Sequence, residues 1–511
     1  MEQINQKRQL SINIIWSISA LLINTLTSFI LTSYISKNLG IDAYGFITLA
    51  DNFISYVDIV VISLNSLAAR FITITYHREQ YEKANRYFNS VLTADLILAV
   101  VISILFSFVI AKLELLLQIP DQLVKDVKIL FILVVANYLI NMLSVVFKAC
   151  VYIKNRMDYV SKSDLIRLLI KATLLFVLFG CLKPHVWYVT ISIIPGSIFV
   201  FAFFKKATKR LTPELKIDFS YAGVHNIIEI LCAGVWNSIN SLGNMLNSGL
   251  DLLITNMWIT PIAMGQLSVS QKLSSIIMQF LSTVSNTFAP IQLKDYAEGD
   301  KEQIYQNLNF AMKTTGIFCV VFISVFFCVG IDFLKLWIPN EDTGTINSLT
   351  RIVLTGNIIV GICYPLYYVN TMTKKLKIPC IVTIISGTIN VASMAFLINC
   401  TSLGIYAVVL TTLVLNWLTN FTFVPLYAAG TLKLKYRAFF PTILRYMLTI
   451  FTSVIGCMLL YKIFPDINSW LVFCIESALL GVISVIITLV VFLNKSERRK
   501  LISTVKNKLK R

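Results

Sequence analysis

The chain has 511 residues, of which 57% are hydrophobic and only 14% are charged, and its net charge is +18. Soluble globular proteins average roughly 45–50% apolar and about 25% charged residues, so this composition excludes a soluble enzyme, a disordered protein and a fibrous protein. It is typical of a chain whose solvent is mostly lipid, and we expect the excess basic residues in cytoplasmic loops rather than on a nucleic-acid-binding surface.

Apolar runs separated by charged or turn-rich segments predict an all-α polytopic membrane protein with about fourteen transmembrane helices. The first run follows Lys7 and Arg8 and is too long for the apolar region of a cleavable signal peptide. In chain order the predicted spans lie at 11–35, 45–68, 88–111, 127–147, 164–182, 185–204, 227–252, 265–291, 309–331, 348–371, 379–399, 404–427, 440–463 and 468–493.

The basic residues distinguish the two sides of the membrane. With fourteen spans, and with basic residues in the end turns of a span counted with the adjoining loop, we assign 35 of the 44 Lys and Arg residues to the side of the two termini and 8 to the opposite side; Lys272, inside the eighth span, is assigned to neither. Cytoplasmic loops carry the excess of Lys and Arg, so this distribution predicts that both termini are cytoplasmic. It also supports the count of fourteen spans, because removing one span would mix the two sets of loops.

A faint internal repeat at an offset of 220 residues predicts two lobes. The aligned pairs are Ser17 with Asn237, Asn24 with Asn244, Ala43 with Ala263, Gly45 with Gly265, and Ser55 with Ser275. Spans one and seven then correspond and start on the same side, as in parallel repeats related by an axis along the membrane normal. We therefore predict an N-lobe of six spans at 1–215, a C-lobe of six spans at 216–430, and two further spans with a basic cytoplasmic tail at 431–511.

Polar residues form stripes on several predicted spans. Five polar residues of the seventh span are separated by 3, 4, 3 and 4 positions, which places them on a single helical face. They are Asn237, Asn240, Asn244, Asn247 and Asp251. The second span carries the further candidates Asp51 and Asp58, with Arg70 at its cytoplasmic end. The eighth span carries Lys272 and Gln279. A charged group at the bilayer centre costs at least about 2.5–3.5 kcal/mol, so we expect these faces to line the bundle interior or a wet cavity.

Each stripe also has a plainer interpretation. Asn and Ser side chains in membrane helices often only bond neighbouring helices. Asp251 and Lys272 are alternatively an ion pair, and Arg70 an ordinary cytoplasmic anchor. Asp51 and Asp58 are alternatively exposed to water without touching a substrate.

The sequence carries no signature of catalysis or of a bound cofactor. The ten Cys residues are scattered without a C-x-x-C pair, and the three His residues lie far apart. There is no phosphate-binding G-x-x-x-x-G-K-[ST] segment and no Ser/His/Asp grouping. These observations predict a protein that is not an enzyme and that binds no metal and no cofactor.

Four motifs resemble those of one transporter family. Leu39-Gly40-Ile41-Asp42-Ala43-Tyr44-Gly45 follows the first span, and Asn65-Ser66-Leu67-Ala68-Ala69-Arg70 closes the second. Asp251, Gly265 and Gln271-Lys272-Leu273 follow in order, and then Asn390 precedes Leu403-Gly404-Ile405-Tyr406-Ala407. Together they resemble the Wzx-type polysaccharide flippases of the multidrug/oligosaccharidyl-lipid/polysaccharide exporter superfamily. The segment Pro261–Leu267 departs from the glycine-rich turn that is usual there.

The resemblance implies a bacterial inner-membrane flippase that moves undecaprenyl-pyrophosphate-linked oligosaccharide units from the cytoplasmic to the periplasmic leaflet by alternating access. Such units serve the synthesis of O-antigen, lipopolysaccharide or capsule. The implied partners are this lipid-linked oligosaccharide, membrane lipids, a polysaccharide polymerase and a chain-length regulator, with no nucleic acid. A proton or sodium gradient is the implied energy source. The alternatives are a multidrug or cation antiporter of the same superfamily, which Asp51 and Asp58 keep open, and a lipid II flippase.

Overall fold

The computed structural model describes residues 23–494 and Arg498. Within these residues the chain contains helices and no strand. The helices of the first half are α1 (23–39), α2 (Ile41–His77), α3 (Tyr81–Ala111), α4 (Leu113–Leu116), α5 (Val124–Val145), α6 (Ala149–Ile153), α7 (Asp158–Cys181), α8 (Tyr188–Ile191), α9 (Ile194–Leu211), α10 (Val224–Asn244) and α11 (Asp251–Trp258). The second half contains α12 (Pro261–Asn286), α13 (Ala289–Glu298), α14 (Lys301–Trp337), α15 (Thr343–Met372), α16 (Lys377–Cys400), α17 (Ile405–Leu418), α18 (Val424–Thr431), α19 (Phe440–Tyr461) and α20 (Trp470–Val491).

Ten segments of the described chain are helical, long and apolar enough to cross a membrane. The prediction of an all-α polytopic membrane protein is therefore confirmed. Helices α1, α7, α10 and α12 occupy the positions of the remaining four predicted spans, and they include the helices with the most polar stripes. The count of fourteen spans stays a prediction.

The chain divides into two compact units. Unit 1 comprises Met1–Gly265 together with Thr383–Thr388, and unit 2 comprises Gln266–Val382 together with Ile389–Arg511. The lobe boundaries predicted from the internal repeat stay a prediction.

In unit 1, α10 lies against α2 and runs in the opposite direction. Ser63 Oγ of α2 donates a hydrogen bond of 3.0 Å to the carbonyl oxygen of Leu231, and Tyr56 Oη donates one of 2.7 Å to the carbonyl oxygen of Gly249. A Cβ added at Gly234 would lie 1.9 Å from the Ser63 carbonyl oxygen. Only glycine at this position allows the two backbones to approach so closely, as is common where membrane helices pack.

In unit 2, α19 and α20 pack on α14 through a chain of buried hydroxyl groups. Ser324 Oγ lies 3.0 Å from Ser453 Oγ, and Ser453 Oγ lies 2.8 Å from Ser484 Oγ. Tyr446 of α19 is fully buried, and its hydroxyl donates a hydrogen bond of 3.0 Å to the carbonyl oxygen of Ile358. The last two spans thus belong to the core of unit 2.

Two helices contain a π-helical turn. Met245–Gly249 separates α10 from α11, and Thr419–Phe423 separates α17 from α18. A π-turn closes its hydrogen bonds over five residues instead of four, so side chains after it are rotated relative to an uninterrupted α-helix. Such turns frequently occur at functional sites.

Candidate functional site

Helix α2 presents a row of exposed polar side chains on one face. Asp51, Ser55, Ser66 and Arg70 are all exposed, and each successive spacing of four, eleven and four residues is slightly more than a whole number of helical turns, so the row winds slowly around α2. Arg70 forms no ion pair and donates no side-chain hydrogen bond to any described residue. Its guanidinium group is therefore available to an external anion.

Helix α10 continues this polar surface. Asn237 Nδ2 donates a hydrogen bond of 2.9 Å to Ser66 Oγ, which joins the polar faces of the two helices. Asn240 and Asn244 are exposed on the same face of α10. The two helices together contribute a set of exposed or half-exposed polar side chains, which we call the amide face. Its members are Ser66, Arg70, Asn237, Asn240 and Asn244.

The opposite side of α10 is exposed but apolar. Ile228, Val235 and Leu242 follow one another at intervals of seven residues, and they are 52%, 40% and 37% exposed. Apolar side chains exposed on a membrane helix suit contact with lipid, whereas the carboxamides of the amide face suit water or a polar ligand. A single helix thus provides both environments.

The amide face ends at the π-turn. Asn247 Nδ2 donates hydrogen bonds of 2.8 Å to the carbonyl oxygens of Gly243 and Thr383, and Asn247 Oδ1 accepts one of 3.0 Å from Ser386 Oγ. Asn247 therefore bonds α16, which is the plainer of the two roles considered for it. Asp251 opens α11 and is 4% exposed. The sequence spacing placed both residues on the stripe because it assumed an unbroken α-helix.

The acidic residues of α2 differ in their surroundings. Asp51 is exposed, whereas Asp58 is half-buried and accepts a hydrogen bond of 2.9 Å from Tyr138 Oη of α5. At the cytoplasmic end predicted for α10, Glu229 is exposed and accepts a hydrogen bond of 2.7 Å from Tyr87 Oη of α3.

In unit 2, α12 has its own exposed polar face. Ser275, Gln279 and Asn286 are exposed, and Lys272 is half-buried one turn before Ser275. The Ser275 hydroxyl donates a hydrogen bond of 2.8 Å to the carbonyl oxygen of Lys272. Lys272 and Gln279 lie seven residues apart, so they share one side of the helix, as their spacing predicted.

Two buried carboxyl groups inside predicted spans, those of Asp95 and Glu476, were missed in the sequence. Asp95 lies in α3, is fully buried, and accepts a hydrogen bond of 3.1 Å from Asn65 Nδ2 of α2. The signal was present, because Asp95 is the only charged residue between Arg86 and Lys112, within the predicted third span. An ionisable residue inside a membrane span is a functional candidate by default. No cluster of three or more His, Cys, Asp or Glu side chains suited to a metal ion exists among the residues that the structure describes.

Known proteins resemble this chain in sequence and in fold. A family model described as "Polysaccharide biosynthesis protein" matches residues 10–292. The "Uncharacterized membrane protein EpsK" of Bacillus subtilis (strain 168) is 27% identical over 439 residues, which cover 85% of this chain and 86% of that protein.

Two solved structures share the fold. The first is the inward-facing conformation of a multidrug resistance MATE family transporter of the MOP superfamily, with a TM-score of 0.68, 12% identity, and coverage of 82% of this chain and 99% of that chain. The second is the lipid II flippase MurJ in an inward closed conformation, with a TM-score of 0.68, 14% identity, and coverage of 93% and 97%. At these identities the likeness is one of fold.

Proposed function

The chain belongs to the polysaccharide biosynthesis protein family, whose fold is that of transporters and flippases, and we propose that it is a flippase for lipid-linked oligosaccharides. It would carry undecaprenyl-pyrophosphate-linked repeat units from the cytoplasmic to the periplasmic leaflet of a bacterial inner membrane. The product would serve a surface polysaccharide such as O-antigen or capsule. Both termini would lie in the cytoplasm, and no chemical step would be catalysed.

The observation that carries the proposal is the uncommitted Arg70 guanidinium beside neutral carboxamides. A guanidinium group binds a phosphate in bidentate fashion, and it remains charged at every physiological pH. Asn240 and Asn244 are exposed further along the same face of α10, several turns from Arg70, and offer both donors and acceptors, which suit sugar hydroxyl groups. The amide face thus combines one cation for the pyrophosphate with neutral groups for the oligosaccharide.

The two sides of α10 suit the two parts of the substrate, its polar head group and its polyprenyl chain. A polyprenyl chain gains nothing by leaving the lipid, whereas the pyrophosphate and sugars cannot cross the hydrocarbon without polar partners. The amide face would hold the head group, and the exposed apolar side at Ile228, Val235 and Leu242 would stay in contact with lipid. Because Arg70 lies near the end of α2 predicted to be cytoplasmic, it would meet the substrate on the side where the substrate is made.

Residues of α12 and α11 extend the proposed binding set. Within unit 2, Lys272 would offer a cation to an anionic group and Gln279 would bind sugar hydroxyl groups, and within unit 1 Asp251 would contribute a negative charge. Asp51 would line the aqueous path. A proton or sodium gradient would drive the cycle, and a polysaccharide polymerase and a chain-length regulator would receive the product.

A cation-coupled drug antiporter of the same superfamily is the second candidate. The half-buried Asp58 and the buried Asp95 favour it, because carboxyl groups inside the membrane suit cationic ligands. Arg70 on the exposed face speaks against it, since a cationic drug would be repelled there. A lipid II flippase would use the same cation for its pyrophosphate.

Complementation distinguishes these functions. In the native host with this gene deleted, Arg70→Ala should strongly reduce export of the surface polysaccharide and Arg70→Lys should retain more of it, both at normal membrane abundance. Arg78→Ala is the matched control, because Arg78 is also exposed but caps the end of α2. Full export by Arg70→Ala would refute the proposed role, and drug sensitivity with normal polysaccharide in the deletion strain would favour the antiporter.

A further inference from the structure

Asp95 and Asn65 form a buried pair with two unsatisfied oxygen atoms. Asn65 Nδ2 donates to Asp95 Oδ1 at 3.1 Å. Asp95 Oδ2 and Asn65 Oδ1 are both buried, and neither has a hydrogen-bond partner among the residues that the structure describes. Both atoms can only accept hydrogen bonds as long as the carboxyl group is ionised.

One proton would satisfy both atoms. A proton on Asp95 Oδ2 makes that atom a donor, and Asn65 Oδ1 is an acceptor on the side chain that already donates to Asp95 Oδ1. A carboxylic acid and a primary amide can pair in this way through two hydrogen bonds. Without the proton, the buried carboxylate would keep a single hydrogen bond, and an unsatisfied buried polar group is more costly when it is charged than when it is neutral.

The surroundings of the pair are largely apolar, and Asp95 forms no ion pair with any described residue. Asp58 and Tyr138 approach from α2 and α5, and both helices share an apolar cluster with α3 at Val61, Ile102, Val135 and Met142. Glu229 of α10 bonds Tyr87, two turns before Asp95 on α3. None of these neighbouring groups is a cation. Arg70, the cation on α2 that lies nearest in sequence to Asn65, is on the exposed face.

We propose that Asp95 is a proton-binding site of unit 1, in which Asn65 holds the protonated acid by a reciprocal pair of hydrogen bonds. Release of this proton leaves the carboxylate, and its uptake restores the pair, so no other reactant is needed. A hard metal cation is less suited, because it takes roughly six or more oxygen ligands and the pair offers two unsatisfied oxygens. Resting on the proposed function, we further assign to Asp95 the proton that accompanies transport.

Infrared difference spectroscopy of the full-length protein in lipid vesicles tests the site directly. A protonated carboxyl band should appear in the wild type at mildly acidic pH and be lost in Asp95→Asn. Glu476→Gln is the matched control, since Glu476 in α20 is also buried and both of its carboxyl oxygens lack a partner among the described residues. The Asp95 band should persist in that variant. A spectrum that Asp95→Asn leaves unchanged at every pH would overturn the proposal.

A second measurement tests the site by chemical labelling of the wild-type protein, without a substitution. Dicyclohexylcarbodiimide reacts with protonated carboxyl groups inside membranes, so mass spectrometry of the treated wild type should find the adduct on Asp95, and less of it at alkaline pH. An Asp95 that stays unmodified while other buried carboxyl groups react would overturn the site.

Coupling is tested in vesicles that contain a pH-sensitive dye. Undecaprenyl-pyrophosphate-linked oligosaccharide should elicit a proton signal in the wild type and none in Asp95→Asn, whereas binding of the lipid should remain. A full proton signal in Asp95→Asn would overturn the coupling role. If the wild type binds no such lipid while the Asp95 band still titrates, the flippase proposal fails and the proton site stands.

Discussion

Asn237 of α10 donates a hydrogen bond of 2.9 Å to Ser66 of α2, and Ser66 lies one turn before Arg70 on the exposed face of α2. This contact joins the polar faces of α10 and α2 within unit 1, one turn from the Arg70 guanidinium group. An anion bound by Arg70 would therefore lie beside neutral donors and acceptors, as a pyrophosphate joined to a sugar chain requires.

Thiol accessibility tests whether α10 has a wet face and a lipid face. Cysteines at Asn240 and Asn244 should react rapidly with a charged, membrane-impermeant thiol reagent, because these side chains are exposed among polar groups. Cysteines at Val235 and Leu242 should react at least about tenfold more slowly, because an ionised thiolate is disfavoured in hydrocarbon. Equal rates on the two sides would mean that α10 has no separate wet face. The background should lack the exposed natural cysteines Cys181, Cys232, Cys400 and Cys474.

Two asparagines one turn apart should have opposite phenotypes. Asn247→Ala removes at least three hydrogen bonds, two of them to α16, and each such bond in a membrane protein contributes about 0.6 kcal/mol, so the free energy of unfolding should fall by about 1–2 kcal/mol. The Asn244 side chain makes no hydrogen bond within the described residues, so Asn244→Ala should change stability by less than about 0.5 kcal/mol.

Transport should show the reverse order. Asn244→Ala should slow translocation of the oligosaccharide, whereas Asn247→Ala should translocate normally per folded molecule. Unfolding in detergent micelles and a vesicle transport assay provide the two measurements. A stability loss in Asn244→Ala larger than in Asn247→Ala would reverse the assignment.

Gly234 should tolerate no side chain. The Cβ of Gly234→Ala would meet the Ser63 carbonyl oxygen at 1.9 Å, so α10 and α2 must move apart, and overpacking of this kind costs about 1–3 kcal/mol or more. Gly180→Ala is the matched control, since a Cβ at Gly180 has no neighbour within 4 Å. We expect lower membrane abundance and a lower melting temperature for Gly234→Ala alone. Similar values for the two variants would argue against the close approach of the helices.

Acid should destabilise the local structure of the linker between α9 and α10 at residues 212–218. The Tyr76 hydroxyl donates a hydrogen bond to Glu214, which lowers the pKa of that carboxyl group below its ordinary value of 4.5. Because the pKa is lowered in the folded protein, the stabilisation is complete above about pH 4.5 and is lost as the pH falls through the lowered pKa. Hydrogen exchange of residues 212–218, corrected for the intrinsic rate, should therefore be constant near neutral pH and rise only in acid. Tyr76→Phe should raise exchange already at neutral pH, and a pH response that this variant leaves unchanged would contradict the assignment.

The sequence predicts the parts of the molecule that follow from local pattern. Apolar runs locate the helices because the membrane fixes their length and polarity, and the 3.6-residue period puts Asn237, Asn240 and Asn244 on one face of α10. The π-turn after Asn244 could not be predicted from local pattern, because it depends on contacts with another helix, such as those of Asn247 with α16. The Asp95–Asn65 pair was missed for a related reason, because the two residues are 30 positions apart and their partnership depends on how α2 packs against α3.

The central claim is that the protein moves a pyrophosphate-linked oligosaccharide across the bilayer and that Arg70 binds the pyrophosphate. The direct measurement is translocation of a fluorescently tagged undecaprenyl-pyrophosphate oligosaccharide in vesicles, followed by quenching of the tag in the outer leaflet. We predict that the wild type makes nearly all of the tag accessible and that Arg70→Ala slows this about tenfold or more, the loss expected for one charge-assisted hydrogen bond of about 1.5–3 kcal/mol. Tagged lipid that crosses no faster with the wild-type protein than in protein-free vesicles, or equally fast with Arg70→Ala, would contradict the account.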